Sequence, residues 1–145
     1  MGQLMARLNW GMIGGGEGSQ IGPVHRIASA LDARFDFKAG ALDADPIKGR
    51  EFAQRLGVAQ DRAYGDWKDM LAGERNRKDR LDLVTVATPN STHYVITKAF
   101  LEAGIHVLCE KPMTVTVDEA EDIVATAKRT GAICAVNYGY TGYSL

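Results

Sequence analysis

The sequence predicts a doubly wound α/β domain, a mostly parallel sheet with helices on both faces, and three observations predict it. Short apolar segments rich in β-branched and aromatic residues alternate with stretches of helical periodicity; the joints between them are short; and the first apolar segment runs directly into a cluster of glycines. Strand–helix–strand repeats with short joints require right-handed crossovers, which set successive strands parallel.

Taken in order, LNWGMIG (8–14) is the first strand and glycines 14, 15, 16, 18 and 22 follow it. Val24, Ile27, Ala28 and Leu31 then fall at i, i+3, i+4 and i+7, which predicts a helix with one buried stripe. FDFKAGALD (35–43) is the second strand, and a shorter helix runs from Pro46 to Leu56. A turn of helix is expected at Trp67 to Leu71, followed by a charged segment, GERNRKDR (73–80), expected to be a solvated connection. DLVTVAT (82–88) is the third strand. Pro89 breaks it, Asn90 or Ser91 is placed to cap the next helix, and Ile96, Ala99, Phe100 and Ala103 form its buried stripe. IHVLCE (105–110) is the fourth strand. The last helix buries Ala120, Ile123, Val124 and Ala127; Thr116 with Glu119 matches a capping box, Lys128 and Arg129 suit its last turn, and Gly131 suits a left-handed terminator. AICAVNY (132–138) completes the sheet.

Composition narrows the class of partner. At 145 residues the chain fits one domain, and a net charge of −1 from 17 basic and 18 acidic residues offers no basic face for nucleic acid. No segment has the ~20 apolar residues of a membrane span, and MGQLMARLNW lacks the apolar centre of a signal peptide, so a soluble cytoplasmic chain is expected, with a small-molecule ligand. Cys109 and Cys134 sit in apolar runs and are expected to be small buried hydrophobes. His25 and His106 are read as structural or solvated, and no metal site is expected.

Ligands of such sheets sit beyond the carboxyl ends of the strands, near the point where strand order reverses. The most unusual local sequences fall there: the glycines, ALDAD (41–45), ATPNSTH (87–93), CEKPM (109–113) and VNYGY (136–140). Glycines after a first strand allow a tight turn and let main-chain N–H groups approach a pyrophosphate; the same composition also suits a plain turn. An enlarged loop using Gly14, Gly16 and Gly18 is expected, with Ser19 where the minimal GxGxxG has glycine and Gly22 at the helix start. Asp43 ends the second strand, where a carboxylate accepts hydrogen bonds from the adenosine ribose hydroxyls and repels a 2′-phosphate. That favours NAD; Lys48 and Arg50 nearby keep NADP open, and a simple turn before Pro46 is the alternative role for Asp43. His93 would face the glycine crevice from the start of its helix. Glu110 and Lys111 are presented at a strand end, either toward a ligand or as a salt bridge.

With GGGEGSQIGPVHR, ATPNSTH and EKP in that order, nearly the whole chain resembles the Gfo/Idh/MocA family of oxidoreductases. The resemblance implies that residues 5–140 are an NAD(P)-binding Rossmann domain and 141–145 the start of a junction to a substrate domain. It implies a parent homo-oligomer that moves hydride between NAD(P) and the hydroxyl groups of sugars, inositols or related polyols. The glycine turn, Ser19 included, would hold the pyrophosphate and Asp43 the adenosine ribose. Thr88, Pro89, Asn90 and His93 would line the middle of the cofactor, with Glu110 and Asn137 on the nicotinamide side. Lys111 would be the catalytic cation beside the reacting oxygen. The loop departs from the family's G-x-G-x-x-G-x-x-H by extra residues before Ile21-Gly22. The family's acid/base pair belongs to the substrate domain, so this stretch alone is expected to bind cofactor with little turnover. A catalytically silent NAD sensor, an S-adenosylmethionine-binding domain and a stand-alone interaction module are the rival readings; the first has no need of Lys111, and the second does not explain EKP.

Overall fold

The computed structural model describes residues 6–142. The expected domain start at Met5 and residues 143–145 of the expected junction lie outside the described residues. Five strands, β1 (Leu8–Gly14), β2 (Phe35–Ala41), β3 (Leu83–Ala87), β4 (His106–Glu110) and β5 (Cys134–Asn137), form one sheet in the order β2-β1-β3-β4-β5. All four pairings are parallel. The chain steps outward from β1 to β2, then returns across β1 to build β3, β4 and β5 on the other side. Strand order therefore reverses between β1 and β3, and the crevice opens there.

Alternation along β1 assigns its side chains to two cores. Trp10 and Met12 face α1 (Ile21–Ala30) and α2 (Pro46–Arg55), in a layer with Leu42, Ala53 and Val58. Ile13 faces the opposite layer, where α3 (Trp67–Glu74), α4 (Asn90–Glu102) and α5 (Val117–Thr130) pack Met70, Phe100 and Ile123 against Val84, Val86 and Val107. The fold is thus the doubly wound α/β class. One polar contact is buried with the apolar layer: the Trp10 indole N–H donates to Thr85 Oγ1 at 2.9 Å.

The helix ends follow local chemistry. Asp45 caps α2 by accepting from the N–H groups of Ile47 and Lys48, with Pro46 in the first turn. The capping box of Thr116 and Glu119 forms on α5, and Gly131 ends that helix at φ 74°.

Four expectations are corrected. The stripe on α1 is not buried: Val24, Ile27 and Leu31 are 54%, 63% and 81% exposed, and the helix turns Gly22 and His25 inward instead. On α5, Ile123 is buried but Val124 is 47% exposed. Neither Asn90 nor Ser91 caps α4. Pro89 occupies the capping position with an extended ψ of 144° and no side-chain acceptor, and Thr92 instead donates its hydroxyl to the Pro89 carbonyl at 2.7 Å. Finally, segment 73–80 is not merely solvated. Glu74 is fully buried against Arg62, whose guanidinium also reaches Asp79, and Arg77 binds Asp61 at 2.8 Å.

Both cysteines are free. Burial pushes the Cys109 thiol up to about 11, and the half-buried Cys134 is also raised, so neither is a ready thiolate. His106 is structural, its Nδ1 accepting from the Ile133 N–H at 3.0 Å. Among the described residues no helix is long and apolar enough to cross a membrane, and no group of three or more metal-ligating side chains comes together.

Candidate dinucleotide site

Two hollows open along the carboxyl edge of the sheet and meet at Ala87 and Thr88, the end of β3. The first, about 800 Å³, lies between the glycine loop, Asp43 and the start of α3 at Asp66 and Trp67. The second, about 600 Å³, lies between the first turns of α1 and the strand-end residues Asn90, His93, Glu110, Lys111 and Asn137.

The glycines divide by role. A Cβ on Gly14 would overlap the Ala87 carbonyl and lie 2.9 Å from the Thr88 nitrogen; one on Gly22 would overlap the Gly15 carbonyl oxygen and lie 2.8 Å from the Gly15 Cα. These two glycines let protein main chain touch protein main chain, welding the start of α1 to the ends of β1 and β3. Gly16 abuts the Leu42 carbonyl, and its missing Cβ would stand 3.4 Å from Asp43 Oδ2. Gly18 has φ +79° with open space around it. Ser19 closes the turn: its N–H donates to the Gly16 carbonyl and its hydroxyl accepts from the Gly22 N–H, both at 3.1 Å. The N–H groups of Gly16, Glu17 and Gly18 find no acceptor among the described residues, which leaves three consecutive donors at the rim of the first hollow. Glu17, within the loop, is tied back to Arg55 at 2.6 Å.

Asp43 stands two residues past the end of β2. Its Oδ1 accepts from the Asp45 N–H at 2.9 Å, an Asx turn that fixes the carboxylate, while Oδ2 has no donor among the described residues and lies toward Gly16. One oxygen thus serves the turn before Pro46, and the other is left facing the glycine loop.

His93 is 1% exposed. Its Nδ1 lies 2.7 Å from the Pro112 carbonyl and its Nε2 2.7 Å from the Thr88 carbonyl, so the ring staples the β3 loop to the EKP turn rather than projecting into the crevice.

Glu110 is likewise anchored. It is 7% exposed, and its Oε1 accepts from His25 Nε2 at 2.8 Å and from the Asn137 amide nitrogen at 2.6 Å; Oε2 takes the Lys111 N–H at 3.2 Å. Burial works to raise its carboxyl, but the Asn137 and His25 donors outweigh burial and hold it below the ordinary carboxylate value. It therefore stays ionised through the neutral range and loosens only in acid. Lys111, by contrast, is exposed, and its ammonium makes no ion pair or hydrogen bond among the described residues.

The structure thus gathers Gly14, Gly16, Gly18, Ser19, Asp43, Thr88 and Pro89 around the first hollow, and Asn90, His93, Glu110, Lys111 and Asn137 around the second. His25 is the residue that the sequence reading did not place here; it is 7% exposed and neither solvated nor remote from the site. The signal that could have found it is its spacing, three residues past Gly22, which puts both on the flank of α1 that packs against the sheet.

The family model described as "oxidoreductase family, NAD-binding Rossmann fold" matches residues 8–138. An uncharacterized oxidoreductase, YfiI, of Bacillus subtilis is 46% identical over 136 residues, 93% of this chain and 35% of the relative. The D-glucoside 3-dehydrogenase of Escherichia coli is 42% identical over 85% of this chain and 33% of its own length. Among solved structures, an inositol dehydrogenase homolog from Azotobacter vinelandii, complexed with NADH and myo-inositol, superposes with a TM-score of 0.92 at 47% identity, covering 94% of this chain and 36% of that one. The chain spans about a third of the length of the relatives it matches. The glycine turn, the ATPN loop and the EKP turn all fall within the matched residues, and the chain belongs to the Gfo/Idh/MocA oxidoreductase family, of which it forms the NAD-binding Rossmann domain.

Proposed function

We propose that this domain carries NAD for an oxidoreductase that moves hydride between the nicotinamide ring and a hydroxyl or keto group of a sugar, inositol or related polyol. The observation that carries the reading is a division of charge. Among the described residues, the N–H groups of Gly16, Glu17 and Gly18 and the Asp43 Oδ2 find no partner at the first hollow, and the exposed Lys111, without an ion pair among those residues, lines the second, with Thr88 between them. A dinucleotide laid across both would set its diphosphate on the amides of Gly16, Glu17 and Gly18, and its adenosine ribose on Asp43 Oδ2. Its nicotinamide would then lie beside Lys111. NAD supplies the hydride acceptor; Lys111 supplies positive charge where an alkoxide-like oxygen develops as hydride leaves carbon. The residues that exchange the hydroxyl proton and shape the sugar pocket belong to the longer protein, so this stretch alone binds cofactor and turns over little. The parent assembles as a homo-oligomer through that further part.

Calorimetric titration tests the cofactor assignment. NAD should bind more tightly than NADP, and Asp43→Ala should weaken NAD on the order of tenfold, the worth of a hydrogen bond to a charged group, while narrowing the preference. Equal weak binding before and after the substitution would remove Asp43 from the site. The catalytic assignment is read in the full-length enzyme: Lys111→Ala should lower kcat by roughly 10²–10³ while NAD affinity changes little. An unchanged kcat would favour a domain that senses NAD without using it.

A further inference from the structure

Asn137 stands at the end of β5 and lines the second hollow. Its side-chain nitrogen is committed to Glu110 Oε1, and the assignment of the amide poles is forced, because an ionised carboxylate only accepts. The other pole, Oδ1, accepts no hydrogen bond from any described residue, and Asn137 lines the hollow. Glu110 in turn cannot swing to let the amide flip, because the same Oε1 is held by His25 from α1 and the neighbouring oxygen by the Lys111 N–H. The hollow is therefore lined by an amide whose oxygen has no donor among the described residues, on the strand next to the one that Lys111 follows.

Resting on the reading of this hollow as the nicotinamide side, we propose that Asn137 Oδ1 accepts a hydrogen bond from the carboxamide NH₂ of the nicotinamide. Glu110, braced by His25, is the positioning residue that keeps that acceptor turned outward. The pyridinium ring has two faces, and a single hydrogen bond to its one asymmetric substituent decides which face meets the substrate side. A fixed acceptor also rejects a ring whose substituent cannot donate, since its lone pair would then be covered without a partner.

The test compares NAD with 3-acetylpyridine adenine dinucleotide, which replaces the NH₂ by a methyl group of similar size and keeps the carbonyl. By calorimetric titration the wild-type domain should bind NAD about three- to tenfold more tightly than the analogue, the range a single neutral hydrogen bond supplies. Asn137→Ala should bind the two alike. Glu110→Leu, which keeps Asn137 but frees its amide to turn, should narrow the preference without abolishing NAD binding; His25→Leu does the same should the first variant fail to fold, as judged by circular dichroism. Equal wild-type affinity for the two cofactors overturns the proposal with no variant needed, and so does a preference that survives Asn137→Ala. A preference untouched by both Glu110→Leu and His25→Leu overturns the positioning role. Failure of the wild type to bind NAD at all is a different result, and it overturns the site reading on which this one rests.

Discussion

Arg62→Met is expected to destabilise the fold by about 3–5 kcal/mol, the usual cost of removing one partner from a buried ion pair. Arg62 is 4% exposed and Glu74 is fully buried. The guanidinium donates from Nε to Glu74 Oε1 at 2.9 Å and from Nη2 to Glu74 Oε2, and its Nη1 reaches Asp79 Oδ2 at 2.9 Å. With Arg62 gone, the Glu74 carboxylate keeps, among the described residues, only the Tyr64 hydroxyl, which donates to it at 3.0 Å. That donor is dependable, because burial and the Glu74 charge push the phenol up to about 12, but one neutral hydroxyl does not replace a bidentate cation. For a domain of this size the loss lowers Tm by roughly 10–15 °C, readable by calorimetry or urea unfolding. Replacing both partners, Arg62→Met with Glu74→Leu, should recover most of it, because the penalty lies in the orphaned charge. A single substitution costing less than about 1 kcal/mol would mean that water reaches Glu74.

Gly22→Ala is the second large effect. The new methyl group would overlap the Gly15 carbonyl oxygen and approach its carbon at 2.7 Å, and both are main-chain atoms that cannot rotate away. Helix α1 must lift off the sheet, at a cost of about 1–3 kcal/mol for overpacking, and it carries the glycine loop with it. NAD affinity should fall on the order of a hundredfold, since misplacing oriented donors by an ångström forfeits most of their worth. Gly18→Ala is the control: its surroundings are open, and only the left-handed conformation is penalised, by about 1–2 kcal/mol. If Gly22→Ala melts and binds as the wild type does, the contact between α1 and Gly15 is not what forms the site.

Much of this architecture was legible because strands and helices differ in period. Every strand and helix placed from the sequence is present, and β1, α2 and the ends of α5 match within a residue. What periodicity could not reveal is whether an apolar stripe is covered: Val24, Ile27 and Leu31 have the right spacing, yet no described residue buries them. Nor could it reveal partners brought together by the fold. His25 and Glu110 are 85 residues apart, and only the approach of α1 to β4 makes them a pair. Glu74 looked like a surface charge in a charged run because its cation, Arg62, lies twelve residues upstream in a short 3-10 turn. The strand-end residues were legible for another reason: a parallel sheet gathers its carboxyl ends on one edge whatever the intervening helices do.

The meeting of the two hollows at Ala87 and Thr88 bears on how tightly the proposed dinucleotide would be held. On the proposed reading each hollow would take one mononucleotide half with only a few polar groups, and neither half alone would stay long. A dinucleotide is a bivalent ligand: once one end is seated, the short diphosphate tether holds the other at an effective concentration far above that in solution, and the two weak grips compound. On that reading retention would depend on the span between the hollows matching the tether, a distance set by the packing of β1 against β3 more than by any one contact.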